Sequence, residues 1–244
     1  MRILISNDDS IFAPGIEALV QAFADAGHDV IVCAPDSQRS AASHSLTIGR
    51  PLTVKEMDFP GAKKAYAIGG TPADCVKLGV MVLCPDAQAV VSGINKGYNA
   101  GTDILYSGTV AAALEGAICG LPALAVSQAA ERADYANAAA LAVSLFDQMM
   151  RHPLEPLSIL NINYPACDEI RGVVMAKADQ IHYTETYRPT VYDGEAAYVL
   201  FGGVDASKRQ SDDYEKLEKG YATVTVVHAD LTDRHASDFW KGLL

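Results

Sequence analysis

A short apolar run that stops at three polar residues is the feature that most constrains the fold of this chain. Arg2–Ser6 predicts a buried β-strand, and Asn7, Asp8 and Asp9 follow at its carboxyl end. In an open parallel α/β sheet, ligands bind at that edge of the strands. The adjacent carboxylates repel each other by roughly 4 kcal/mol at an effective dielectric constant of about 20. A divalent cation would relieve this repulsion, and oxygen ligands favour Mg²⁺ or Mn²⁺.

An isolated Asp-Asp pair is also compatible with a solvated turn. Here Pro14-Gly15 and a predicted helix over residues 15–26 follow the pair, and this strand–turn–helix order favours a metal site. Strands and helices alternate up to about residue 130, which predicts an α/β fold with a Rossmann-like, mostly parallel sheet and flanking helices. The other predicted strands of this region cover residues 29–34, 64–68 and 89–92, and a later strand is predicted over residues 158–163. Further helices are predicted to begin at Thr71 and Ser107 and to cover residues 134–150.

Two further segments carry polar residues after predicted strands. Residues 35–47 are rich in serine, and Arg39 and Ser40 within them are candidates to face the acidic pair, although a mobile surface loop has the same composition. After the next buried strand, Asn95 and Asn99 offer amide groups in a glycine-rich segment, where the backbone can approach a ligand. The sequence therefore predicts that polar groups from three turns meet at one edge of the sheet.

The segment Ser107-Gly108-Thr109 opens a helix that Gly120 ends. A helix amino terminus with hydroxyl groups and free N–H groups can bind phosphate. The segment is neither a P-loop nor a dinucleotide-binding fingerprint, because G-x-x-x-x-G-K-[ST] and G-x-G-x-x-G are both absent. Taken alone, such a start is a helix cap. Together with the acidic pair and the Ser40 loop, it predicts a phosphate site beside a metal.

Composition limits the partners of the chain. The formal net charge of −11 argues against nucleic-acid polymers and anionic membranes, and it means that an anionic substrate needs local positive charge. The 5 cysteines are widely spaced without a C-x-x-C motif, which predicts reduced thiols. The first residues have no signal-peptide pattern, and no apolar run approaches the roughly 18 residues of a membrane span. We therefore expect a cytoplasmic protein without a membrane partner.

Several runs occur in an order that resembles one known family. They are MRILISNDD…APGI (1–16), APDSQRSAASHSLT (34–47), GGTPADCVKLGV (69–80), SGINKGYNAGTDILYSGTVAAALEG (92–116), LPALAVS (121–127) and LNIN.P (160–165). The family is SurE, the stationary-phase survival protein E. The resemblance implies a metal-dependent 5′-nucleotidase that hydrolyses nucleoside monophosphates, with 3′-nucleotidase and exopolyphosphatase activities as further expectations.

The resemblance also implies roles for individual residues. One divalent metal ion, Mg²⁺ or Mn²⁺, would be bound by Asp8, Asp9, Ser40 and Asn95. The phosphate would be surrounded by Asn99, Ser107, Gly108 and Thr109. The family pattern usually has glycine where this chain has Ser10 and Ala41. Because both lie beside proposed ligands, we expect their side chains to narrow the pocket or to alter metal affinity.

The chemistry of these residue types agrees with the resemblance. A hard cation would polarise a phosphoryl oxygen and lower the pKa of a water. We expect this water to be the nucleophile, with Asp9 or Asp8 as the catalytic base. A phosphoaspartyl intermediate on Asp8 is an alternative, but the D-x-D motif of phosphatases that form one is absent. His44 is a candidate proton donor to the leaving oxygen.

The C-terminal third has a different pattern. From about residue 170 to 228 the sequence predicts strands, with a hairpin that turns at Asp193-Gly194, and a terminal helix follows around His235–Leu243. We predict a single domain over residues 1–244, with a catalytic core of residues 1–165 and a β-rich extension of about residues 170–244. The resemblance implies a homodimer or homotetramer that uses this C-terminal β-hairpin extension.

Two other functional classes share parts of the pattern. A receiver-like signalling module also binds Mg²⁺ at an acidic pair after its first strand, and Asp58 would be its phosphoacceptor. A nucleotide-sugar transferase has a segment similar to residues 26–35, AGHDVIVCAP. The chain is longer than a receiver module and too short for a two-domain transferase, so both rank below the phosphatase.

Overall fold

A nine-stranded sheet with helices on both faces forms the body of the protein. The computed structural model describes residues 1–243, apart from the side chains of residues 234 and 235, while Leu244, which the predicted extension includes, lies outside the described residues. The strands are β1 (Arg2–Ser6), β2 (Asp29–Pro35), β3 (Val54–Met57), β4 (Lys64–Ile68), β5 (Ala89–Lys96), β6 (Ala123–Gln128), β7 (Ser158–Tyr164), β8 (Val173–Met175), β9 (Thr186–Tyr192), β10 (Glu195–Phe201) and β11 (Ala222–His228). The α-helices are α1 (Pro14–Asp25), α2 (Pro72–Leu78), α3 (Gly108–Ile118), α4 (Ala136–Arg151), α5 (Asp212–Glu218) and α6 (Arg234–Lys241). A π-helical turn (Gly79–Leu83) follows α2, and a 3₁₀ helix (Gly101–Leu105) precedes α3.

The strand order is β3-β4-β2-β1-β5-β6-β7-β11-β8, and the strands from β4 to β7 in this order run parallel.

Packing on both faces of β1 explains why its sequence is continuously apolar. Ile3 and Ile5 pack in a core with α1 and α4, whereas Leu4 packs in a second core with α2 and α3. Because parallel strands in such a layered fold are covered on both faces, alternation disappears from their sequence. The predicted α/β fold with a mostly parallel sheet and flanking helices is confirmed.

The main sheet continues beyond residue 165. Strand β11 pairs antiparallel with β7 and parallel with β8, so both C-terminal strands extend the sheet. Only β9 and β10 form a separate two-stranded hairpin. Its turn lies where the sequence predicts it, and Asp193 and Gly194 have φ of 50° and 82°. Positive φ at both central residues is the type I′ geometry that Asp-Gly favours.

The sequence patterns do not predict two elements of the fold, strand β3 and helix α5. Strand β3 has an exposed, polar sequence (VKEM) because it lies at an edge of the sheet, antiparallel to β4. Helix α5 has seven residues, mostly charged, and buries only Asp213 and Leu217. Neither segment has the buried apolar face on which recognition of a strand or helix depends.

Other composition-based predictions can be compared with the structure. All five cysteines are free thiols, with Cys33, Cys75 and Cys84 buried. Within residues 1–243, no helix has both the length and the apolar character needed to cross a bilayer. The hairpin aromatics Tyr187, Tyr192 and Tyr198 are 67%, 80% and 69% exposed, so they do not contribute to the core of the chain.

Close packing of α3 on β5 generates a stability prediction. A Cβ at Gly116 would lie 2.7 Å from Val90 Cβ, which is too close for both atoms. We expect Gly116→Ala to lose about 1 kcal/mol of unfolding free energy, because an overpacking cost of about 1–3 kcal/mol exceeds the gain of about 1 kcal/mol in helix propensity. Urea unfolding measures this change. Gly203→Ala is the control, since a Cβ there meets no atom within 4 Å. A stabilised Gly116→Ala protein would contradict the packing argument.

Candidate metal and phosphate site

Asp8 joins the end of β1 to the start of α3. Its carboxylate is buried, and the Thr109 hydroxyl donates a hydrogen bond of 2.5 Å to Oδ1. Burial is the largest cause that raises the pKa of Asp8 to about 6; the Thr109 hydrogen bond lowers it, and the charge of Asp9 raises it again. A carboxylate held in this way is charged at neutral pH but incompletely compensated by protein donors. It is therefore well suited to bind a cation.

Gly108 allows the two elements to approach this closely. A Cβ at residue 108 would lie 2.8 Å from Asp8 Cβ and 3.0 Å from Asp8 Oδ2. It would also lie 3.0 Å from Pro72 Cγ, at the start of α2. The glycine is required because the first turn of α3 packs directly on the acidic residue.

Asp9 connects the three turns that the sequence predicts to converge. The backbone N–H of Lys96, at the end of β5, donates to Asp9 Oδ2 at 3.0 Å. Gln38 Nε2 donates to both Asp9 Oδ1 (3.3 Å) and Ser40 Oγ (3.0 Å). The Arg39 N–H donates to the Asp8 carbonyl at 2.7 Å, so the loop after β2 is fixed to the end of β1. These contacts bring residues 8–9, 38–40 and 95–96 together.

Asn95 has a free oxygen at this junction. Its side-chain Nδ2 donates to the Gly97 carbonyl at 2.9 Å, which leaves Oδ1 available to a ligand. The register of β5 with β6 shifts between Ser92 and Asn95, and the ladder resumes at Asn95, which pairs with Ser127 near the end of β6. Asn95 is thus presented at the carboxyl edge of the sheet beside residue 96, which contacts Asp9.

The donor set fits a hard dication. Asp8, Asp9, Ser40 and Asn95 contribute only oxygen atoms, and Asn7 Oδ1 is a further buried oxygen without a hydrogen-bond partner in the described chain. Across residues 1–243, no group of three or more His, Cys, Asp or Glu side chains is arranged to hold a metal. The site therefore depends on two carboxylates supplemented by neutral oxygens, a combination typical of Mg²⁺ or Mn²⁺ that keeps several waters.

The start of α3 provides the phosphate-binding candidates. Ser107 is the N-cap, as its sequence predicts, and its Oγ accepts a hydrogen bond of 3.0 Å from the Val110 N–H. The Thr109 hydroxyl donates to Asp8, so Thr109 holds this carboxylate and its hydroxyl hydrogen is not free for a phosphate. The hydroxyl of Ser107 and the N–H of Gly108 remain the direct candidates at this helix start.

Asn99 is held by residues from distant strands. Its Nδ2 donates to Ser127 Oγ at 2.8 Å, and its N–H donates to Asn163 Oδ1 at 2.8 Å. Asn161 and Asn163 donate to its carbonyl at 2.7 and 3.0 Å. The following turn is held by Asp213, which accepts from the Gly101 N–H at 2.7 Å. Sequence reasoning missed these supporting residues, because 28 to 112 positions separate them from the turn.

The structure does not support His44 as the proton donor. Its Nε2 lies 2.8 Å from Glu115 Oε2 on the body of α3, and Lys77 donates to the other oxygen of Glu115 at 2.5 Å. His44 lowers the pKa of the buried Glu115 carboxyl more than any other group. The imidazole therefore anchors the loop to α3, and its Nε2 is not directed at the acidic pair.

The two departures from glycine have a backbone explanation. Ser10 has φ of 88° and Ala41 has φ of 56°, in the region that favours glycine. Glycine at these positions thus matches the backbone conformation. The Ser10 turn is held by Asn7 Nδ2, which donates to the Ser10 carbonyl at 2.7 Å.

The location of Asp58 argues against a receiver module. Asp58 follows β3, which runs antiparallel to its neighbour β4. The end of β3 is therefore at the edge of the sheet opposite the carboxyl ends of β1, β2 and β5. A phosphoacceptor must lie beside the metal-binding acidic pair, and Asp58 does not.

Gly108→Ala tests the contact between α3 and Asp8. The added methyl group would displace the carboxylate, so we expect a stability loss of about 1–3 kcal/mol and a weaker metal affinity. Calorimetric titration with Mn²⁺ and urea unfolding measure the two effects. Gly203→Ala again serves as the control. Unchanged metal affinity would contradict the role of this contact.

Comparisons with known proteins agree with the residue pattern. The family model described as Survival protein SurE matches residues 3–185. The chain is 42% identical over 241 residues to a protein of Clostridium beijerinckii named 5′-nucleotidase SurE, and the alignment covers 96% of this chain and 95% of that protein. A 5′-nucleotidase SurE of a Synechococcus species is also 42% identical, with 95% and 93% covered.

Structural similarity extends over the whole chain. The crystal structure of the SurE protein from Aquifex aeolicus matches with a TM-score of 0.84 and 33% identity, covering 100% of this chain and 99% of that one. The match includes the part of the chain after residue 185, which the family model does not reach. Sequence and fold lead to the same conclusion, and the chain belongs to the SurE family.

Proposed function

We propose that the protein is a 5′-nucleotidase that hydrolyses nucleoside monophosphates to nucleoside and phosphate. The observation that carries the proposal is the junction at Asp9, where hydrogen bonds connect three turns beside the capped start of α3. Full-length relatives that carry the name 5′-nucleotidase SurE support it. Because 3′-nucleotides and short polyphosphates present similar phosphoryl groups, we include them as secondary substrates.

We propose that the enzyme depends on one Mg²⁺ or Mn²⁺ ion held by Asp8, Asp9, Ser40 and Asn95. When bound, the ion would neutralise phosphoryl charge and lower the pKa of a water. Ser107 and Gly108 would donate hydrogen bonds to phosphate oxygens as their charge develops, and Asn99 would help to orient the group through its side-chain amide. These groups need little rearrangement, since Ser107 caps α3 and Asn99 is held by Ser127.

Asp9 is the better candidate for the base. Asp8 is buried and its Oδ1 is bound to Thr109, which suits a fixed ligand. Asp9 is more exposed and lies at the edge of a cavity, where it can accept a proton from the attacking water. Water then attacks phosphorus in line with the leaving ribose oxygen.

We further propose that the C-terminal elements assemble the protein into a homodimer or homotetramer. The hairpin β9–β10 pairs with no other strand of the described chain, and its aromatic side chains are exposed. The terminal helix α6 likewise exposes Phe239 and Trp240. Such apolar surface is typical of interfaces between subunits. The cytoplasmic location stays a prediction.

Metal dependence can be tested directly. We expect phosphate release from a nucleoside monophosphate panel to stop in EDTA and to return with Mn²⁺ or Mg²⁺, because the substrate and the acidic pair repel each other without a cation. The panel includes 3′-nucleotides and short polyphosphate. Full turnover in EDTA would contradict the proposal.

We expect Asp8→Asn to raise the stability of the metal-free protein and to abolish its activity. In metal-free protein at pH 7.5, the buried charge of Asp8 opposes folding, so we expect the variant to be roughly 1–3 kcal/mol more stable than wild type. Because the folded pKa of about 6 lies above the unfolded value, this difference should vanish as the pH falls toward 4. Turnover should be lost and Mn²⁺ should no longer raise Tm. Asp25→Asn, on the exposed end of α1, is the matched control.

A further inference from the structure

The cavity at whose edge Asp9 lies extends beyond the residues proposed to bind the metal and the phosphate. Its volume is about 520 Å³, which lies in the range of small-molecule sites. Phe12, Gln38, Lys96 and Tyr135 are among its lining residues, together with Asp9 itself. Gln38 and Lys96 both donate to the Asp9 carboxylate, through a side chain and a backbone N–H respectively. The cavity is therefore continuous with the proposed metal site.

Phe12 forms one wall of the cavity, and its ring is 69% exposed. The turn around it is ordered by its neighbours, because Ile11 is fully buried and donates its N–H to the Pro35 carbonyl at 2.9 Å. The Ala13 N–H donates to the Ser10 carbonyl at 3.1 Å. A large aromatic ring is thus held in solvent by a well-anchored turn, three residues after Asp9. Packing within the chain does not account for this ring.

Tyr135 lies on another side of the same cavity, at the residue that precedes α4. Its side chain is mostly buried, and burial followed by the charge of Asp9 raises the pKa of its phenol. Asp9 therefore lies within electrostatic reach of the Tyr135 hydroxyl. Lys96 adds an exposed cation at the edge. The cavity combines an exposed aromatic face with polar groups next to the acidic pair.

We propose that the nucleoside half of the substrate occupies this cavity and that its base stacks on the ring of Phe12. The inference rests on the proposed nucleotidase function and assigns Phe12 as a specificity-determining residue. A base has an apolar face that matches the exposed ring, and base–aromatic stacking tolerates different bases. The continuity of the cavity with Asp9 allows the phosphate to reach the metal site while the base lies on Phe12. A phosphate ester without a base cannot make this stacking contact with Phe12.

The experiment compares AMP with ribose 5-phosphate, which has the same phosphate and sugar but no base. We expect Phe12→Ala to lower the ratio of kcat/KM for AMP to kcat/KM for ribose 5-phosphate by about 10-fold or more, from the size of stacking contributions. The loss should be mainly in KM for AMP, because stacking stabilises ground state and transition state alike. Adenosine should inhibit the variant more weakly than wild type, and Phe12→Tyr should restore both values.

Met81→Ala is the matched control, since Met81 is 66% exposed on the turn after α2 and does not line the cavity. It should leave the ratio and the adenosine inhibition constant unchanged. An unchanged ratio in Phe12→Ala would overturn the assignment. A lower ratio in Tyr106→Ala alone would also overturn it, since Tyr106 is another exposed ring, 62% exposed, and adjoins Ser107 in the chain. No phosphate release by wild type from either ester would instead refute the nucleotidase proposal itself.

Discussion

The hydrogen bond between Asp8 and Thr109 connects the sheet to the helix that begins the candidate site. It satisfies one oxygen of a buried carboxylate, and Gly108 permits the contact because it has no side chain. Without this bond and a cation, the cost of burying the charge would favour a protonated or displaced Asp8. The parallel order β2-β1-β5 then fixes the rest, since it brings the turns that carry Ser40 and Asn95 to the same edge. The geometry of the candidate metal site is thus a consequence of strand order combined with one tight helix contact.

Much of this arrangement could be predicted from the sequence because its signals are local. The strands of the core contain short apolar runs, such as ILI in β1 and AVV in β5. The starts of α2 and α3 have cap residues, and Thr71 and Asp74 form the predicted capping box. The carboxyl ends of neighbouring parallel strands share one edge of the sheet. The sequence alone therefore predicts that the acidic pair and the polar loops lie close together. The role of His44 could not be predicted, since its partner Glu115 lies 71 residues away.

In the C-terminal third, the important contacts join residues that are far apart in the sequence, so local sequence patterns do not predict them. Asp213 is fully buried on a short charged helix, and its partner Gly101 is 112 residues earlier in the chain. A Cβ at Gly101 would lie 2.6 Å from the Asp179 carbonyl oxygen, so the extension packs directly against the turn that follows Asn99. Strand β11 carries this extension into the main sheet beside β7, which supplies Asn161 and Asn163. The extension therefore supports the turn that carries Asn99, one of the candidate phosphate-binding residues.

The positive φ values of Ser10 and Ala41 show how strongly the site constrains its turns. A non-glycine residue in this conformation costs roughly 1–2 kcal/mol, yet both turns keep the shape that glycine would adopt freely. The conformation persists because surrounding contacts determine it: Asn7 fixes the carbonyl of residue 10, and the N–H of Arg39 binds the carbonyl of Asp8. The same turn that strains Ser10 directs Ile11 into the core and Phe12 into solvent. Retaining the strained turn therefore preserves both the position of the acidic pair and the exposed aromatic wall, and a relaxed turn would lose the two together.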